Sequence, residues 1–137
     1  MPATEPSRII GLFASAFNRR SLDELLAFYE PDAVLLVDGS GTRLAGRAAI
    51  AEVLRGMLQL PGTMTSRVNF CVVHGDIALL RADWELVGDD GAAIASGSSA
   101  EVARRQPDGT WLYILDHAAG ASLPRVGLPP GTIPHPS

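Results

Sequence analysis

The sequence contains no lysine and only one cysteine, and these two shortages exclude several functions. Its eleven basic side chains are all arginines and are outnumbered by fifteen acidic ones, for a formal net charge of −4. Nucleic acids and anionic membrane surfaces bind basic faces, so we expect neither as a partner. Because Cys71 stands alone, the chain can form neither an intrachain disulfide nor a multi-cysteine metal site.

Long apolar runs and cofactor motifs are missing as well. No stretch approaches the roughly 20 apolar residues of a membrane span. The opening MPATEPSR has neither the basic start nor the apolar core of a leader, so we expect a cytoplasmic protein. The sequence has no HExxH, Walker or GxGxxG motif, and we therefore predict no metal and no cofactor.

The 137 residues, 47% of them hydrophobic, suit a single domain with one core. The spacing of the apolar residues changes once along the chain, near Pro61. Before that point it is mostly helical, and after it the alternation is typical of strands. Helices followed by a strand meander predict an α+β fold, with about three helices on one face of a curved antiparallel sheet.

The first half of the chain has recognisable helix signals. Apolar spacing predicts a helix over 7–19, and Ser21 with Glu24 has the pattern of a capping box. That box begins a second helix, which Pro31 ends. A short strand over 33–37 and a third helix over 47–58, entered through Gly46, complete this half.

The second half alternates strands with turn sequences rich in Gly, Asp and Pro. Strands are predicted over 65–74, 77–87, 93–105 and 111–118. We therefore place the domain in residues 1–119 and a loosely held, Pro- and Gly-rich tail in residues 120–137.

Four segments, FYEPDAVL, GRAAI, GDIALLR and RRQPDGTW, occur in this order. Together they resemble the SnoaL-like and ketosteroid-isomerase-like branch of the nuclear transport factor 2-like superfamily, over about residues 7 to 118. The resemblance implies a cone-shaped, cystatin-like fold with a pocket between sheet and helices, usually in a homodimer. It implies no single activity, because this fold hosts isomerases, cyclases, dehydratases and non-catalytic assembly domains.

The ketosteroid isomerase roles map poorly onto this chain. The resemblance places the family's tyrosine at Phe13 and its first aspartate at Val37, and both are apolar here. The third position falls at or beside Glu101, which keeps a carboxyl group. Steroid isomerisation is therefore not the predicted activity.

The polyketide-cyclase branch fits better. It implies an acid/base carboxylate near the end of the last strand and a polar partner on the strand before it, at Asp116 and Glu101. We take these two as the candidate catalytic residues. Arg81, Asp83 and His117 are candidate ligand-binding residues.

Phe13 is the fourth ligand-binding candidate. The sequence does not decide which face of the 77–87 strand lines the pocket. Alternation puts Arg81 and Asp83 on one side and Trp84 on the other. The charged side is either solvated or, as the resemblance implies, turned into the pocket. In the second case Trp84, with Trp111 and Tyr113, would form a subunit interface.

Two functions remain as hypotheses. One is an isomerase- or cyclase-type enzyme acting on a small apolar or partly polar organic molecule. In it Asp116 is the general acid/base, Glu101 is its partner or a neutral donor, and Arg81 stabilises an oxyanion. The other is a non-catalytic, dimeric ligand-binding or assembly module.

Overall fold

A computed structural model describes residues 2–127, and in them the predicted order of helices and strands is present. The helices are α1 (Ile9–Asn18), α2 (Leu22–Leu26) and α3 (Arg47–Leu58), and a 3-10 turn, Pro6–Arg8, precedes α1. The strands are β1 (Tyr29–Leu36), β2 (Leu44–Ala45), β3 (Thr63–His74), β4 (Ile77–Val87), β5 (Ala93–Ser98), β6 (Ala100–Arg105) and β7 (Trp111–His117).

The seven strands form one curved sheet in the order β2-β1-β7-β6-β4-β3, with β5 also paired to β4. Every pair is antiparallel except β1 with β7, which is parallel. The predicted antiparallel sheet is thus right but for this pair. Two parallel strands need a long crossover connection, and the chain from β2 to β6 supplies it.

The second helix is shorter than predicted. The Ser21 hydroxyl caps α2 by accepting a hydrogen bond from the Glu24 amide at 3.2 Å, as the capping box requires. The Glu24 carboxylate, however, pairs with Arg19 and does not reach back to the cap. Tyr29, predicted on this helix, begins β1 instead. Pro31 disfavours helical backbone at Glu30 just before it, and tyrosine is common in strands.

The predicted 93–105 strand is divided at Ser99 into β5 and β6, yet its register against β4 runs unbroken across the division. Ser98 pairs with Asp83, and Glu101 pairs with Leu80. Between them, the Ser99 amide donates to the Ala82 carbonyl at 2.8 Å. The inward alternation therefore continues from β5 into β6.

The helices cover one face of the sheet, and that face is apolar and aromatic. On β4 it carries Leu80, Ala82 and Leu86, all at most 3% exposed. On β7 it carries Trp111 and Tyr113, which are 5% and 1% exposed. The expectation that Trp84, Trp111 and Tyr113 form an outer interface is wrong, because burying these large side chains beneath the helices stabilises the fold most.

No helix within residues 2–127 has the length and apolarity that crossing a bilayer would require. The first residues of the predicted tail are held against the sheet, since the Ala121 amide donates to the Ser98 carbonyl at 2.9 Å. The rest of that predicted tail, from residue 128, lies outside the described residues.

Gly97 provides a test of the inward face of β5. A Cβ at this position would lie 2.9 Å from Cζ2 of Trp84, closer than real Cβ contacts come. We predict that Gly97→Ala lowers the free energy of unfolding by about 1–3 kcal/mol through overpacking. Urea denaturation followed by tryptophan fluorescence measures this change.

Gly11→Ala is the control, because a Cβ on this exposed helical glycine meets nothing within 4 Å. It should leave stability unchanged or raise it by up to about 1 kcal/mol. Equal stability of Gly97→Ala and the native chain would show that the Trp84 ring is free to move.

Candidate functional site

A cavity of about 240 Å³, partly open to solvent, lies between the helices and the inner face of the sheet. Most of its lining is apolar: Ile10, Phe13, Phe17, Leu35, Val37, Leu54, Met57, Leu60, Met64, Ala82, Trp84, Leu86, Ala95 and Ala118. The polar lining side chains are Tyr29, Ser66, Ser99, Glu101, Tyr113 and Asp116. An apolar hollow with a few polar groups is typical of a small-molecule site.

The two candidate catalytic residues lie side by side in this cavity. Asp116 on β7 pairs directly with Glu101 on β6, and the side chains are only 8% and 5% exposed. A bulge brings Asp116 to the inner face: Val102 pairs with Leu115 but Ala103 with Tyr113, so Ile114 is the extra residue. Simple alternation places Asp116 on the opposite face from Tyr113.

Tyr29 holds Asp116 in place. The Tyr29 hydroxyl donates a 2.6 Å hydrogen bond to Oδ2 of Asp116. Parallel pairing of β1 with β7 sets Tyr29 opposite Tyr113 and so brings this hydroxyl within reach. Arg47 anchors the start of β1 by donating from Nε to the Tyr29 carbonyl at 3.0 Å.

Glu101 has its own hydroxyl partners. The Ser99 hydroxyl donates to Oε1 of Glu101, and Ser99 also accepts from the Ala82 amide at 2.9 Å. Ser99 is 3% exposed, so this small network is shielded from bulk water. Hydrogen bonds to buried carboxyl groups in such surroundings are strong and fix the side-chain position.

Burial raises the pKa of both carboxyl groups. Desolvation, reinforced by the charge of Asp116, raises the pKa of Glu101 to about 8, against the opposing effect of the Ser99 and Tyr113 hydroxyls. Desolvation raises the pKa of Asp116 to about 6, although the Tyr29 hydrogen bond opposes the rise. At neutral pH, Asp116 is therefore mostly ionised and Glu101 mostly protonated.

The two tyrosines remain hydrogen-bond donors. Burial, with the adjacent carboxylates, raises the pKa of both Tyr29 and Tyr113 well above the ordinary range. Their ring centroids are 5.5 Å apart, and Phe13 packs at 6.2 Å from each. Phe13, a ligand-binding candidate, thus lines the cavity beside its polar end.

Arg81 and Asp83 do not join this cluster. They lie on the outer face of β4, where Nε of Arg81 donates to Oδ1 of Asp83 at 3.1 Å. Asp83 also accepts from Ser98 at 2.8 Å and Asn69 at 3.0 Å. The expectation that they line the pocket is wrong, because the alternate residues of β4 are apolar and occupy the buried face.

His117 follows Asp116 on β7 and does not line the cavity. Its Nδ1 accepts a hydrogen bond from the Ala119 amide at 3.3 Å. A Cβ on Gly120 would lie 3.0 Å from Cβ of His117, so the turn after β7 packs closely over this side chain. Consecutive strand residues point to opposite faces, which explains why only one of the pair faces the pocket.

Sequence reasoning misses Tyr29, Tyr113 and Ser99. The residue pattern puts Tyr29 on the helix, Tyr113 on the outer face and Ser99 in an unbroken strand. The sequence signal for Tyr29 is that Pro31 disfavours helix at Glu30, so the helix should end before this point and a tyrosine here suits a strand. The bulge at Ile114 leaves no trace in the alternation of the sequence. The sequence therefore gives no sign that Tyr113 faces the cavity.

Three helices against a curved, unclosed sheet, with a cavity between them, form the fold of solved proteins described as nuclear transport factor 2-like and cystatin-like. The SnoaL-like domain family matches residues 10–114. The chain therefore belongs to the SnoaL-like family. No curated protein matches it.

Several solved structures share the fold. One, from Thiobacillus denitrificans, is named for a calcium/calmodulin-dependent protein kinase type II association domain; it is 27% identical, with a TM-score of 0.70 over 87% of this chain and 95% of that one. A ketosteroid isomerase-like protein from Erwinia carotovora atroseptica is 22% identical, with a TM-score of 0.63 over 82% of this chain and 94% of that one. An NTF2-like protein of unknown function from Shewanella oneidensis is 16% identical, with a TM-score of 0.66 over 80% and 91%.

The raised pKa values predict how stability depends on pH. A carboxyl group whose pKa is higher in the folded state favours folding when protonated, so its contribution declines as pH rises from about 4 to about 8. Glu101→Gln cannot ionise, and in this variant the decline between pH 5 and pH 9 should be reduced by roughly half or more. At about 1.4 kcal/mol per pKa unit, the difference reaches several kcal/mol.

Denaturant unfolding of both chains across this pH range measures the effect. Glu85→Gln makes the same chemical change on an exposed residue of β4 and should follow the native profile. Parallel pH profiles for Glu101→Gln and the native chain would contradict the raised pKa of Glu101.

Proposed function

We propose that this SnoaL-like protein binds a small organic molecule in its cavity and performs isomerase- or cyclase-type acid/base chemistry on it. One observation carries the proposal: two neighbouring carboxyl groups with raised pKa values lie at the polar end of an otherwise apolar hollow. Buried carboxyl groups are costly for stability, and clusters of them with shifted pKa values are concentrated at functional sites.

Each carboxyl group has a distinct role in this proposal. Asp116, mostly ionised at neutral pH, takes a proton from the substrate and returns it elsewhere. Glu101, mostly protonated, donates a hydrogen bond to the oxygen on which negative charge develops. Two carboxyl groups whose pKa values differ can divide base and acid work in this way.

The hydroxyl and aromatic groups support this division. Tyr29 keeps Oδ2 of Asp116 occupied and so orients the carboxylate, which leaves its other oxygen for the substrate. Phe13 and Trp84 supply apolar walls for the body of the ligand. No role remains for Arg81 as an oxyanion stabiliser, since it lies on the outer face, bonded to Asp83. A cytoplasmic location stays a prediction from the sequence.

Deuterium exchange with a panel of candidate substrates tests the catalytic part. The panel, cyclic and aryl ketones with and without an amino group, is incubated with the protein in D₂O and followed by proton NMR. We predict exchange next to the carbonyl of at least one compound, lowered about 100-fold or more in Asp116→Asn, the usual contribution of a positioned base.

Asp32→Asn is the matched control, because Asp32 is an exposed residue of β1. This variant should catalyse deuterium exchange into the same compounds at the native rate. Equal rates for Asp116→Asn and the native chain, with the same compounds bound, would exclude this catalytic role and leave a binding module.

The second candidate is a dimeric assembly or ligand-binding module, and a feature of the outer sheet face favours dimerisation in either case. Five aliphatic residues form a row across five neighbouring strands, each opposite the next: Val72, Leu79, Val102, Leu115 and Val34. Val72 is 58% exposed and Leu79 is 47% exposed. A contiguous apolar patch on a sheet suits a subunit interface. The relative from Thiobacillus denitrificans is named for an association domain.

We propose that two copies of the chain pack through this row. Leu79→Glu places a charge within the row and should convert a dimer to a monomer, halving the mass seen by light scattering at micromolar concentration. Val126→Glu is the control, because Val126 is 91% exposed and is not one of the five residues of the row. A native chain with the mass of one copy would contradict the interface.

A further inference from the structure

The cavity is unbalanced in charge. Two carboxyl groups line it, and none of the lining residues is arginine, lysine or histidine. No salt bridge within residues 2–127 reaches either carboxyl group. The protein therefore supplies negative charge to this site without a cation to balance it.

Two arginines that contact cavity-lining residues or their neighbours have their guanidinium groups committed elsewhere. Arg47 donates to the Tyr29 carbonyl, and Arg20 donates to the carbonyls of Leu60 and Gly62 at 2.9 and 2.8 Å. Arg20 also lies over the Phe17 ring, 4.6 Å from its centroid. Neither arginine is among the lining residues, so a compensating charge has to come from a bound molecule.

One oxygen of the pair is left to receive such a molecule. Within residues 2–127, Oδ2 of Asp116 accepts from Tyr29, whereas Oδ1 accepts no hydrogen bond. Every fully buried side-chain nitrogen or oxygen in that part of the chain does have a partner. Oδ1 is therefore not sealed in the core but faces the cavity, although the side chain is more than nine-tenths buried.

Three of the donors that line the cavity are already in use, and protonated Glu101 is left to donate to a ligand oxygen. Tyr29 donates to Asp116, Ser99 donates to Glu101, and Nε1 of Trp84 donates to the Ala118 carbonyl at 2.8 Å. None of these three donors is left for Oδ1 of Asp116. A ligand that brings hydrogen-bond donors completes the network, whereas one that brings only acceptors leaves the carboxylate unpaired.

We propose that the ligand of this cavity is an apolar molecule carrying a protonated amino group, which binds one of the two lone-pair sites of Oδ1 of Asp116 and leaves the other for the proton that the substrate gives up. This inference rests on the function proposed above and names its substrate class. The apolar part lies among the aromatic and aliphatic lining, which includes Phe13, Phe17 and Trp84. Aromatic faces also attract cations, so the walls favour the same ligand class. Anionic ligands are disfavoured by the carboxylate.

Three phenylethyl compounds of similar size separate the alternatives. They are 2-phenylethylamine, which is protonated at pH 7, 2-phenylethanol, which is neutral, and phenylacetate, which is anionic. Isothermal titration and thermal shift of the full chain at pH 7 should give an amine affinity at least tenfold above that of the alcohol. Phenylacetate should produce no shift.

Asp116→Asn removes the charge with little change in shape, so it should erase the tenfold preference for the amine while the alcohol still binds. Asp32→Asn should keep the preference. Equal or tighter binding of the alcohol, or binding of phenylacetate, overturns the inference and leaves the proposed function standing. If the amine does not bind but a ketone of the exchange panel does, the inference about the amino group is wrong and the proposed function stands. If neither the amine nor any ketone binds, the inference and the proposed function are both wrong.

Discussion

A carboxylate that faces an apolar cavity without a cation is the constraint on which the rest of the site depends. Ionised Asp116 is tolerated because Tyr29 donates to it and because Glu101 next to it keeps its proton. The Ser99 hydroxyl donates a hydrogen bond to Glu101 and so stabilises that side chain in the same way. These partners stabilise one arrangement of charge and proton, and they leave Oδ1 of Asp116 as the place where that arrangement can change.

Two features of backbone pairing bring this group together from distant parts of the chain. The parallel pairing of β1 with β7 sets Tyr29 beside Tyr113, although 84 positions separate them in the sequence. The bulge at Ile114 then turns Asp116 to the same side as Tyr113. Without that extra residue the carboxylate would lie on the outer face of the sheet, in water and of no use to the cavity.

The two faces of the sheet differ in what they offer. The inner face, covered by helices, has large aromatic side chains and the carboxyl pair. The outer face combines the ion pair of Arg81 and Asp83 with an aliphatic row that includes Leu79. A single sheet thus separates a surface suited to self-association from a cavity suited to a small molecule. Chemistry in the cavity and dimerisation are independent proposals for this reason.

The sequence by itself determined the order of the helices and many of the strand ends, because these follow from local signals. α3 matches its prediction at both ends, β4 does too, and the Ser21 cap lies where it was expected. It also pointed to Asp116 and Glu101, which the structure places together in the cavity, although their catalytic role stays a prediction. Only the tertiary structure decided which face of the sheet Arg81 lies on and that Tyr29 meets Asp116. A strand's alternation gives two faces but does not say which one the helices bury, and pairing between distant strands leaves no periodicity in the chain.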